Sequence, residues 1–361
     1  MRAPASLVLL VVLTLLSGCH GGSKTDRPPP AEARILPTTF LRGMTFAHEG
    51  YRGHDGYGGD LVGPSMDSLK SLGVNAVAIV PYTFMRGMGP VDTFPIPDHY
   101  GAENDSAVLH SIRNAQARGL YVMLKPQIWV RGGWPGSIDF ATDAEWDRFF
   151  RAYGEWILHY AEMAQREELY ALCIGTELVQ ATRKHPERWR DMIRRIRDRY
   201  DGVLTYAANW GEEFEQFSFW EELDVMGLNS YYPLSDDPEA TPAELTLGAV
   251  SWMRMADSTS RVHDRPLWLT EVGYRSVAGA WRNPHAEAGD RVASEEAQAR
   301  CYAALSAAVC SSERLAGMFV WKWPSYLGHQ EDRDGRRVGF VPGGKPAGEL
   351  LRTLYRYPPE R

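Results

Sequence analysis

The chain from Thr38 onward alternates between two hydrophobic patterns. Short apolar and β-branched runs are typical of buried strands, and the longer stretches between them, with apolar residues every three or four positions, are typical of amphipathic helices. The predicted strands are Phe40–Phe46, Val74–Val80, Leu120–Lys125, Leu169–Gly175, Val203–Ala207, Asp224–Asn229, Leu267–Thr270 and Gly317–Trp321. The predicted helices, one after each strand, are Ser65–Leu72, Ser106–Arg118, Thr142–Glu167, Pro186–Tyr200, Glu212–Glu222, Thr241–Val262, Ser294–Glu313 and Ala347–Tyr355.

Strands that alternate with helices predict a parallel sheet, because each helix returns the chain to the same end of the sheet. Eight such units over residues 38–357 predict an α/β protein with a single (β/α)8 barrel domain, a TIM barrel. An open doubly wound sheet is the alternative. Its nucleotide-binding version is disfavoured, because no Gly-x-Gly-x-x-Gly follows the first predicted strand.

The N-terminal segment has a different pattern, which predicts a lipoprotein signal peptide over residues 1–18. Its ten-residue apolar run, Leu7–Leu16, is shorter than the ~20 residues of a membrane-spanning helix. The run leads into Leu16-Ser17-Gly18-Cys19, which resembles the bacterial lipobox whose cysteine is lipidated. Residues 19–37, rich in Pro, Gly and charge, indicate a flexible tether. We therefore expect an exported bacterial lipoprotein, held at the outer membrane or cell surface through a lipid on Cys19; a plain secretion signal is the alternative.

The amino-acid composition limits the kinds of molecule that the chain is expected to bind. The net charge is −7, with 39 basic and 46 acidic residues, so no basic excess exists to neutralise nucleic-acid phosphates. The chain contains 12 Trp and 17 Tyr, whose flat faces suit the apolar C–H faces of sugar rings, although any one Trp could equally lie in the core. No metal-ligand spacing or cofactor motif is present, and we expect a monomer that acts without a cofactor.

Function in a (β/α)8 barrel lies where the strands end at their carboxyl side. Polar and aromatic residues collect at those ends and predict a substrate-binding cleft. Candidate substrate-binding residues are Lys125, Trp129, Asn209, Trp210, Asn229, Tyr231, Tyr232, Trp321 and Trp323.

Two strand ends carry a glutamate in a matched setting, Ile174-Gly-Thr-Glu177 and Leu269-Thr-Glu271. The fourth and seventh strands lie on opposite sides of a barrel mouth, so both side chains can point into one cleft. Two carboxyl groups in a cleft with aromatic walls are the arrangement used for glycoside hydrolysis, in which one is protonated and the other ionised. The alternative is two structural carboxylates in ion pairs with Lys125, Arg275 or Lys322.

The strand ends together resemble Glycoside Hydrolase Family 113, a β-mannanase family in clan A. The resemblance runs over roughly residues 38 to 356 and includes these segments: Val77-Ala-Ile-Val-Pro-Tyr82, Leu124-Lys-Pro126, Cys173-Ile-Gly-Thr-Glu-Leu178, Leu204-Thr-Tyr-Ala-Ala-Asn-Trp210, Gly227-Leu-Asn-Ser-Tyr-Tyr-Pro-Leu234, Thr270-Glu-Val-Gly-Tyr274 and Phe319-Val-Trp-Lys-Trp323. It implies a (β/α)8 fold and a retaining mechanism, with Glu177 as acid/base and Glu271 as nucleophile. Many clan members have Asn before the acid/base to bind the sugar 2-hydroxyl, whereas this chain has Thr176, so Asn209 or Asn229 is a candidate for that contact.

Further roles follow as expectations. Tyr231 or Tyr232 donates a hydrogen bond to Glu271, and Lys125 donates to a substrate hydroxyl. Either Trp321 or Trp323 stacks under the sugar at the cleavage point. Trp129, Trp134, Trp210 and Trp281 are candidate platforms for more distant sugars. The expected substrate is β-1,4-mannan or its oligosaccharides; a β-glucanase of the same clan and a non-catalytic sugar-binding lipoprotein are the alternatives.

Overall fold

The structure, a computed structural model, describes residues 39–49, 54–99, 101–328 and 337–359. The predicted signal peptide, the tether and Cys19 lie outside these residues. The strands are β1 (Leu41–Ala47), β2 (Ala76–Ile79), β3 (Tyr82–Met85), β4 (Tyr121–Leu124), β5 (Gln127–Val130), β6 (Ala171–Thr176), β7 (Val203–Asn209), β8 (Val225–Ser230), β9 (Leu267–Val272) and β10 (Leu315–Pro324). The α-helices are α1 (Val62–Lys70), α2 (Asp105–Gln116), α3 (Asp143–Arg166), α4 (Val179–Lys184), α5 (Pro186–Arg197), α6 (Glu212–Gln216), α7 (Pro242–His263), α8 (Glu295–Ser311) and α9 (Pro346–Arg356).

Eight of the strands close into a parallel barrel in the order β1-β10-β9-β8-β7-β6-β4-β2. Closure is made by β1, which pairs with β2 on one side and β10 on the other; Met44, for example, lies beside both Val77 and Val320. The predicted (β/α)8 barrel is thus confirmed, and the open doubly wound sheet is excluded because a closed barrel has no edge strands.

A second, two-stranded sheet was not predicted from the sequence. It consists of β3 and β5, which pair in parallel with Tyr82 beside Gln127 and Phe84 beside Trp129. Each of these strands follows a barrel strand after a short break at a proline, Pro81 or Pro126. Proline cannot donate a ladder hydrogen bond, so the barrel pairing stops there and the chain continues into a separate small sheet above the mouth.

Most helices follow the sequence signals, but α4 was not predicted and one predicted helix is wrong. Thr142 and Glu145 form a capping box at the start of α3. The single helix predicted over Glu212–Glu222 is wrong: α6 ends at Gln216, and a separate 3-10 turn covers Trp220–Glu222. The break lets Phe217, Phe219 and Trp220 all be buried, which one helix face could not accomplish for three rings in four positions.

The barrel interior is filled by side chains rather than open. Trp268 and Phe319 cross it with ring centroids 6.0 Å apart, surrounded by small residues such as Ala76 and Ala171. Gly43 makes room for this packing, since a Cβ there would lie 2.4 Å from the Phe319 ring. The packed interior places any cleft above it, at the carboxyl ends of the strands. Among the described residues, no helix combines the length and the apolar character that a bilayer crossing requires.

Candidate active site

A cleft of about 970 Å³ opens at the carboxyl ends of the barrel strands. Both matched glutamates, Glu177 and Glu271, lie in its wall. The other lining residues are Glu49, Tyr82, Gln127, Ile128, Trp129, Trp134, Pro135, Thr176, Asn209, Trp210, Asn229, Tyr231, Arg275, His285, Glu287, Trp321, Lys322 and Phe340. Aromatic rings and hydrogen-bonding groups therefore surround two carboxyl groups in one depression, as a sugar-binding site requires.

Glu271 is held by three hydrogen-bond donors near the end of β9. Its Oε1 accepts from the Lys125 ammonium and from Gln127 Nε2 at 2.8 Å, and its Oε2 accepts from the Tyr231 hydroxyl at 3.0 Å. An ionised carboxylate is purely an acceptor and can take all three bonds. With only 8% of its side chain exposed, Glu271 is a buried anion whose charge is balanced by a buried cation.

Lys125 contacts Glu271 rather than the open cleft. Its side chain is fully buried, and its ammonium forms an ion pair with Glu271 beneath the cleft surface. It is not among the residues that line the cleft, and the expected hydrogen bond to a substrate hydroxyl stays a prediction. The physical reason for the ion pair is that a buried carboxylate needs a charge partner, and Lys125, which follows β4 directly, is the cation that reaches it.

Glu177 lies just after β6 with a backbone φ of 51°, in the left-handed region that non-glycine residues seldom adopt. Such a conformation costs on the order of 1–3 kcal/mol and is found most often at functional sites. Its amide donates to the Ala207 carbonyl at 2.9 Å, while its Oε1 accepts from Asn229 Nδ2 at 2.9 Å and its Oε2 from Trp134 Nε1 at 2.7 Å.

The pKa of Glu177 is raised above its ordinary value. Burial is the main cause and the negative charge of Glu271 adds to it, whereas the hydrogen bonds from Asn229 and Trp134 and the charge of Lys125 act in the opposite direction. A carboxyl group shifted in this way holds its proton to higher pH, which is the property a general acid needs.

Asn229 connects the two strand ends. Its Oδ1 accepts from the Thr270 hydroxyl at 2.9 Å, which fixes the amide so that its Nδ2 points at Glu177. Thr270 directly precedes Glu271, and Asn229 lies beside Glu271 in the ladder between β8 and β9. The Asn229 amide therefore orients Glu177 relative to β9, the strand that carries Glu271.

The structure separates the candidate aromatic residues into two groups. Trp129, Trp134, Trp210 and Trp321 line the cleft. Three others do not line the cleft, and the substrate-binding roles expected for them stay predictions. The Trp323 and Trp281 side chains are buried, and their indole nitrogens donate to Ser65 and to the Asp237 carbonyl.

Tyr232 is the third candidate aromatic residue that does not line the cleft. Its hydroxyl donates to Glu215 at 3.3 Å and accepts from the Gly211 amide at 2.8 Å, away from Glu271. The adjacent Tyr231 is the tyrosine that contacts Glu271.

Asn209 lines the cleft, with its Nδ2 donating to the Trp210 carbonyl at 3.1 Å. Which residue binds the sugar 2-hydroxyl thus stays a prediction.

A third buried carboxyl group was missed by the sequence reasoning. Glu213, in α6, accepts from the Thr182 hydroxyl at 2.8 Å, the Tyr206 hydroxyl at 2.9 Å and the Asn209 amide at 2.7 Å. Burial raises its pKa to about 7. The sequence signal is weak, because Glu213 stands among the acidic residues of a helix start, where a solvent-exposed side chain is the ordinary expectation.

Glu213 supports the backbone around Glu177. The Tyr206 hydroxyl that donates to Glu213 accepts in turn from the amide of Leu178 at 2.6 Å, and Leu178 follows Glu177 directly. The carboxyl group therefore fixes the Tyr206 hydroxyl, which holds the peptide next to the strained residue.

Comparisons with known proteins identify the family of the chain. The family model of Glycoside Hydrolase Family 113 matches residues 44–345. A solved structure described as the GH113 β-mannanase AaManA from Alicyclobacillus acidocaldarius in complex with ManMIm is 28% identical, with a TM-score of 0.76 over 88% of this chain and 97% of that one. A complex of a GH113 β-1,4-mannanase is 23% identical, with a TM-score of 0.77 over 88% of this chain and 99% of that one.

A more distant match shows the fold alone. A Glycoside Hydrolase Family 5 mannosidase from Rhizomucor miehei is 13% identical, with a TM-score of 0.60 over 88% of this chain and 92% of that one. A search of curated protein sequences found no match. The family match spans most of the barrel and includes both strand-end glutamates. The chain belongs to Glycoside Hydrolase Family 113 and is a glycoside hydrolase.

Proposed function

We propose that this enzyme is a retaining β-glycosidase that cleaves β-1,4-mannosidic bonds in mannan or manno-oligosaccharides. The observation that supports the proposal is the contrast between its two glutamates: Glu271 is paired with a cation and two further donors, whereas the pKa of Glu177 is raised. One carboxyl group is thus suited to attack as an anion and the other to deliver a proton.

In the first step, a Glu271 carboxylate oxygen forms a bond to the anomeric carbon while the glycosidic C–O bond breaks. The proton on Glu177 passes to the departing oxygen, which leaves as a free hydroxyl, and a glycosyl ester of Glu271 remains. Tyr231 and Gln127 keep their hydrogen bonds to the carboxylate and hold it in place during the attack.

In the second step, Glu177 is ionised and removes a proton from a water molecule. The water oxygen bonds to the anomeric carbon, the ester bond to Glu271 breaks, and the sugar leaves with its original configuration. Glu177 regains its proton and Glu271 its charge, so the enzyme returns to its starting state.

The mannan specificity is inferred from the named relatives. Both Family 113 structures named in the comparisons are β-mannanases, and one of them is 28% identical to this chain. The cleft itself, with tryptophans and a mixture of donors and acceptors, fits a neutral β-linked polysaccharide.

The test combines substrate choice with stereochemistry. Reducing ends released from mannan, glucomannan and cellulose are measured, and the anomeric form of the first product is followed by NMR. We expect release from the two mannose-containing polymers and a β-anomer as the first product. Release from cellulose alone would replace the mannan assignment by the β-glucanase alternative, and an α-anomer would contradict the retaining mechanism.

We also propose that Cys19 carries a lipid and that the tether over residues 19–37 joins the barrel to a membrane. The proposal rests on the lipobox-like sequence after the apolar run. In a bacterial host, the full chain is expected in the membrane fraction, and Cys19→Ala is expected to lose that association. Cys310→Ala, at an exposed cysteine of the barrel, is the matched control. Equal membrane association of the wild type and Cys19→Ala would contradict the proposal.

A further inference from the structure

The small sheet formed by β3 and β5 carries a pair of exposed aromatic side chains, of which Trp129 lines the cleft and Phe84 does not. Phe84 and Trp129 are exposed to 46% and 48%, and their ring centroids lie 5.9 Å apart. They are partners in the ladder of the two strands, so both rings project from the same face of the sheet. The alternate residues, exemplified by Thr83 and Val130, are buried. The two adjacent, half-exposed rings form a continuous apolar surface, and exposed apolar surfaces of this kind are candidates for binding sites.

This face is continuous with the catalytic centre. Two residues earlier in each strand, Tyr82 and Gln127 form the preceding ladder pair on the same face, and both line the cleft. Gln127 donates directly to Glu271, and the Tyr82 and Phe84 ring centroids are 6.4 Å apart. Two residues along a strand correspond to ~6.6 Å, so Phe84 and Trp129 lie about that distance further along the sheet than Tyr82 and Gln127. A track of rings therefore leads from the nucleophile carboxylate to the exposed pair.

We infer that Phe84 and Trp129 form a binding platform for a distant sugar unit of a β-linked polysaccharide whose scissile bond lies between Glu177 and Glu271. The inference rests on the proposed function. Trp129 lines the cleft itself, whereas Phe84 lies beyond it and extends the stacking surface outward. Aromatic faces bind sugar C–H faces without requiring a particular hydroxyl pattern, so the platform would hold the chain while the groups around Glu177 and Glu271 recognise the sugar to be cleaved.

The platform has a consequence for the choice of substrate. A short oligosaccharide that fills only the cleft gains nothing from Phe84, whereas a longer chain gains an additional contact. Since Phe84 contributes to a surface rather than to the reacting centre, the gain appears in kcat/KM as a function of chain length. A stacked aromatic contact corresponds to about a tenfold effect at most.

The experiment compares kcat/KM for β-1,4-linked manno-oligosaccharides from the dimer to the hexamer. The wild type is expected to favour the hexamer over the shortest substrate that it cleaves, and Phe84→Ala is expected to reduce that ratio by about tenfold. Phe84→Tyr, which keeps a ring, is expected to restore it. Tyr121→Ala is the matched control, because Tyr121 is an aromatic residue of similar exposure, 37%, on barrel strand β4 and outside the cleft.

Failure of the platform and failure of the proposed function have different signatures. If neither manno- nor cello-oligosaccharides are cleaved, the proposed function fails. The platform is then still tested by calorimetry, which compares the affinity of the longest oligosaccharides for the unmodified enzyme and for Phe84→Ala. An unchanged length ratio, or unchanged affinity, in Phe84→Ala would overturn the inference. So would a change in oligomeric state by light scattering without a change in the ratio, since the rings would then bind a second copy of the chain.

Discussion

Glu177 and Glu271 begin from nearly the same sequence context and end in different environments. Both follow a threonine at the end of a buried strand. Glu271 accepts from a lysine and two neutral donors, all from other strands or loops; Glu177 accepts from two neutral donors and has a strained backbone. The difference teaches that the roles of acid and nucleophile are not written at the glutamates themselves. The proposed roles rest on the partners that the barrel brings beside each glutamate.

The largest effect is expected for Glu271→Ala. Removal of the nucleophile eliminates the covalent intermediate, and kcat on mannan should fall by about 10⁴-fold or more. Added azide should restore part of the activity and give an α-glycosyl azide, because the small anion occupies the place of the missing carboxylate. Glu239→Ala, at an exposed glutamate, is the control and should retain wild-type kcat. Retained activity in Glu271→Ala would contradict the assignment of Glu271 as the nucleophile.

Glu177→Ala should show a different pattern, which depends on the leaving group. The loss of general acid catalysis is expected to lower kcat/KM on mannan by roughly 10²–10⁴-fold. An aryl mannoside with a good leaving group needs no proton, so its first step should be nearly unaffected and its burst of phenol should be followed by slow turnover. Azide should then give a β-glycosyl azide. If both substrates lose the same factor, Glu177 does not act as the acid.

Lys125→Met tests the charge partner that distinguishes Glu271. The substitution leaves a buried carboxylate without its cation, and the free energy of unfolding should fall by about 3–5 kcal/mol. Chemical denaturation measures this loss. The double variant Lys125→Met, Glu271→Gln should recover much of the stability, because the uncompensated charge is then gone. A single variant within ~1 kcal/mol of the wild type would show that the ion pair does not hold the nucleophile.

The barrel and the two glutamates could be predicted because both depend on local pattern. Alternating hydrophobic periods define the strands, and their carboxyl ends define the active face. Glu177 and Glu271 are visible because a carboxylate at the end of an apolar strand departs from that pattern. The charge balance of each glutamate could not be predicted, since Lys125 and Trp134 meet their carboxylates only after closure of the barrel.

At the strand ends, counting alternate residues could not predict the face to which a side chain points, for a specific reason. The ladder between β8 and β9 shifts register between Leu228 and Asn229, and the ladder between β1 and β10 shifts between Met44 and Phe46. Each irregularity breaks the strict alternation that assigns a residue to one face. Tyr231 and Tyr232, or Trp321 and Trp323, therefore could not be told apart by counting. The strands β3 and β5 were missed because each begins directly after a proline that ends a barrel strand, where a loop is the ordinary expectation.

Comparing Glu213 with Glu271 distinguishes the effect of hydrogen bonds on a buried carboxyl group from the effect of a neighbouring cation. Like Glu271 it accepts three hydrogen bonds, but in the described part of the chain none of them comes from a charged donor. Its pKa is raised from 4.5 to about 7, so the folded protein retains a proton that the unfolded chain releases. Its contribution to stability is complete below about pH 4.5 and is lost as the pH rises to about 7.

The wild type should therefore lose stability relative to Glu213→Gln over this pH window, because the amide does not titrate. Chemical denaturation of both proteins at a series of pH values gives the difference in the free energy of unfolding. The Glu187→Gln variant, at an exposed glutamate in an ordinary surface ion pair, is the control. A constant difference between the wild type and Glu213→Gln would mean that Glu213 has the same protonation in the folded and unfolded states.

The smallest effect is expected for Trp134→Phe, which removes one of the two donors to Glu177 and keeps an aromatic ring in the cleft. The indole N–H lowers the pKa of Glu177, so its removal should raise that pKa further. The general acid then stays protonated to higher pH, and the basic limb of the pH profile of kcat/KM should move upward while the acidic limb stays in place. Trp210→Phe is the matched control: it also lines the cleft, but its indole donates no hydrogen bond to either glutamate in the described residues. A downward shift of the basic limb would show that Trp134 favours the protonated form, and the difference between the two glutamates would then have to come from the lysine alone.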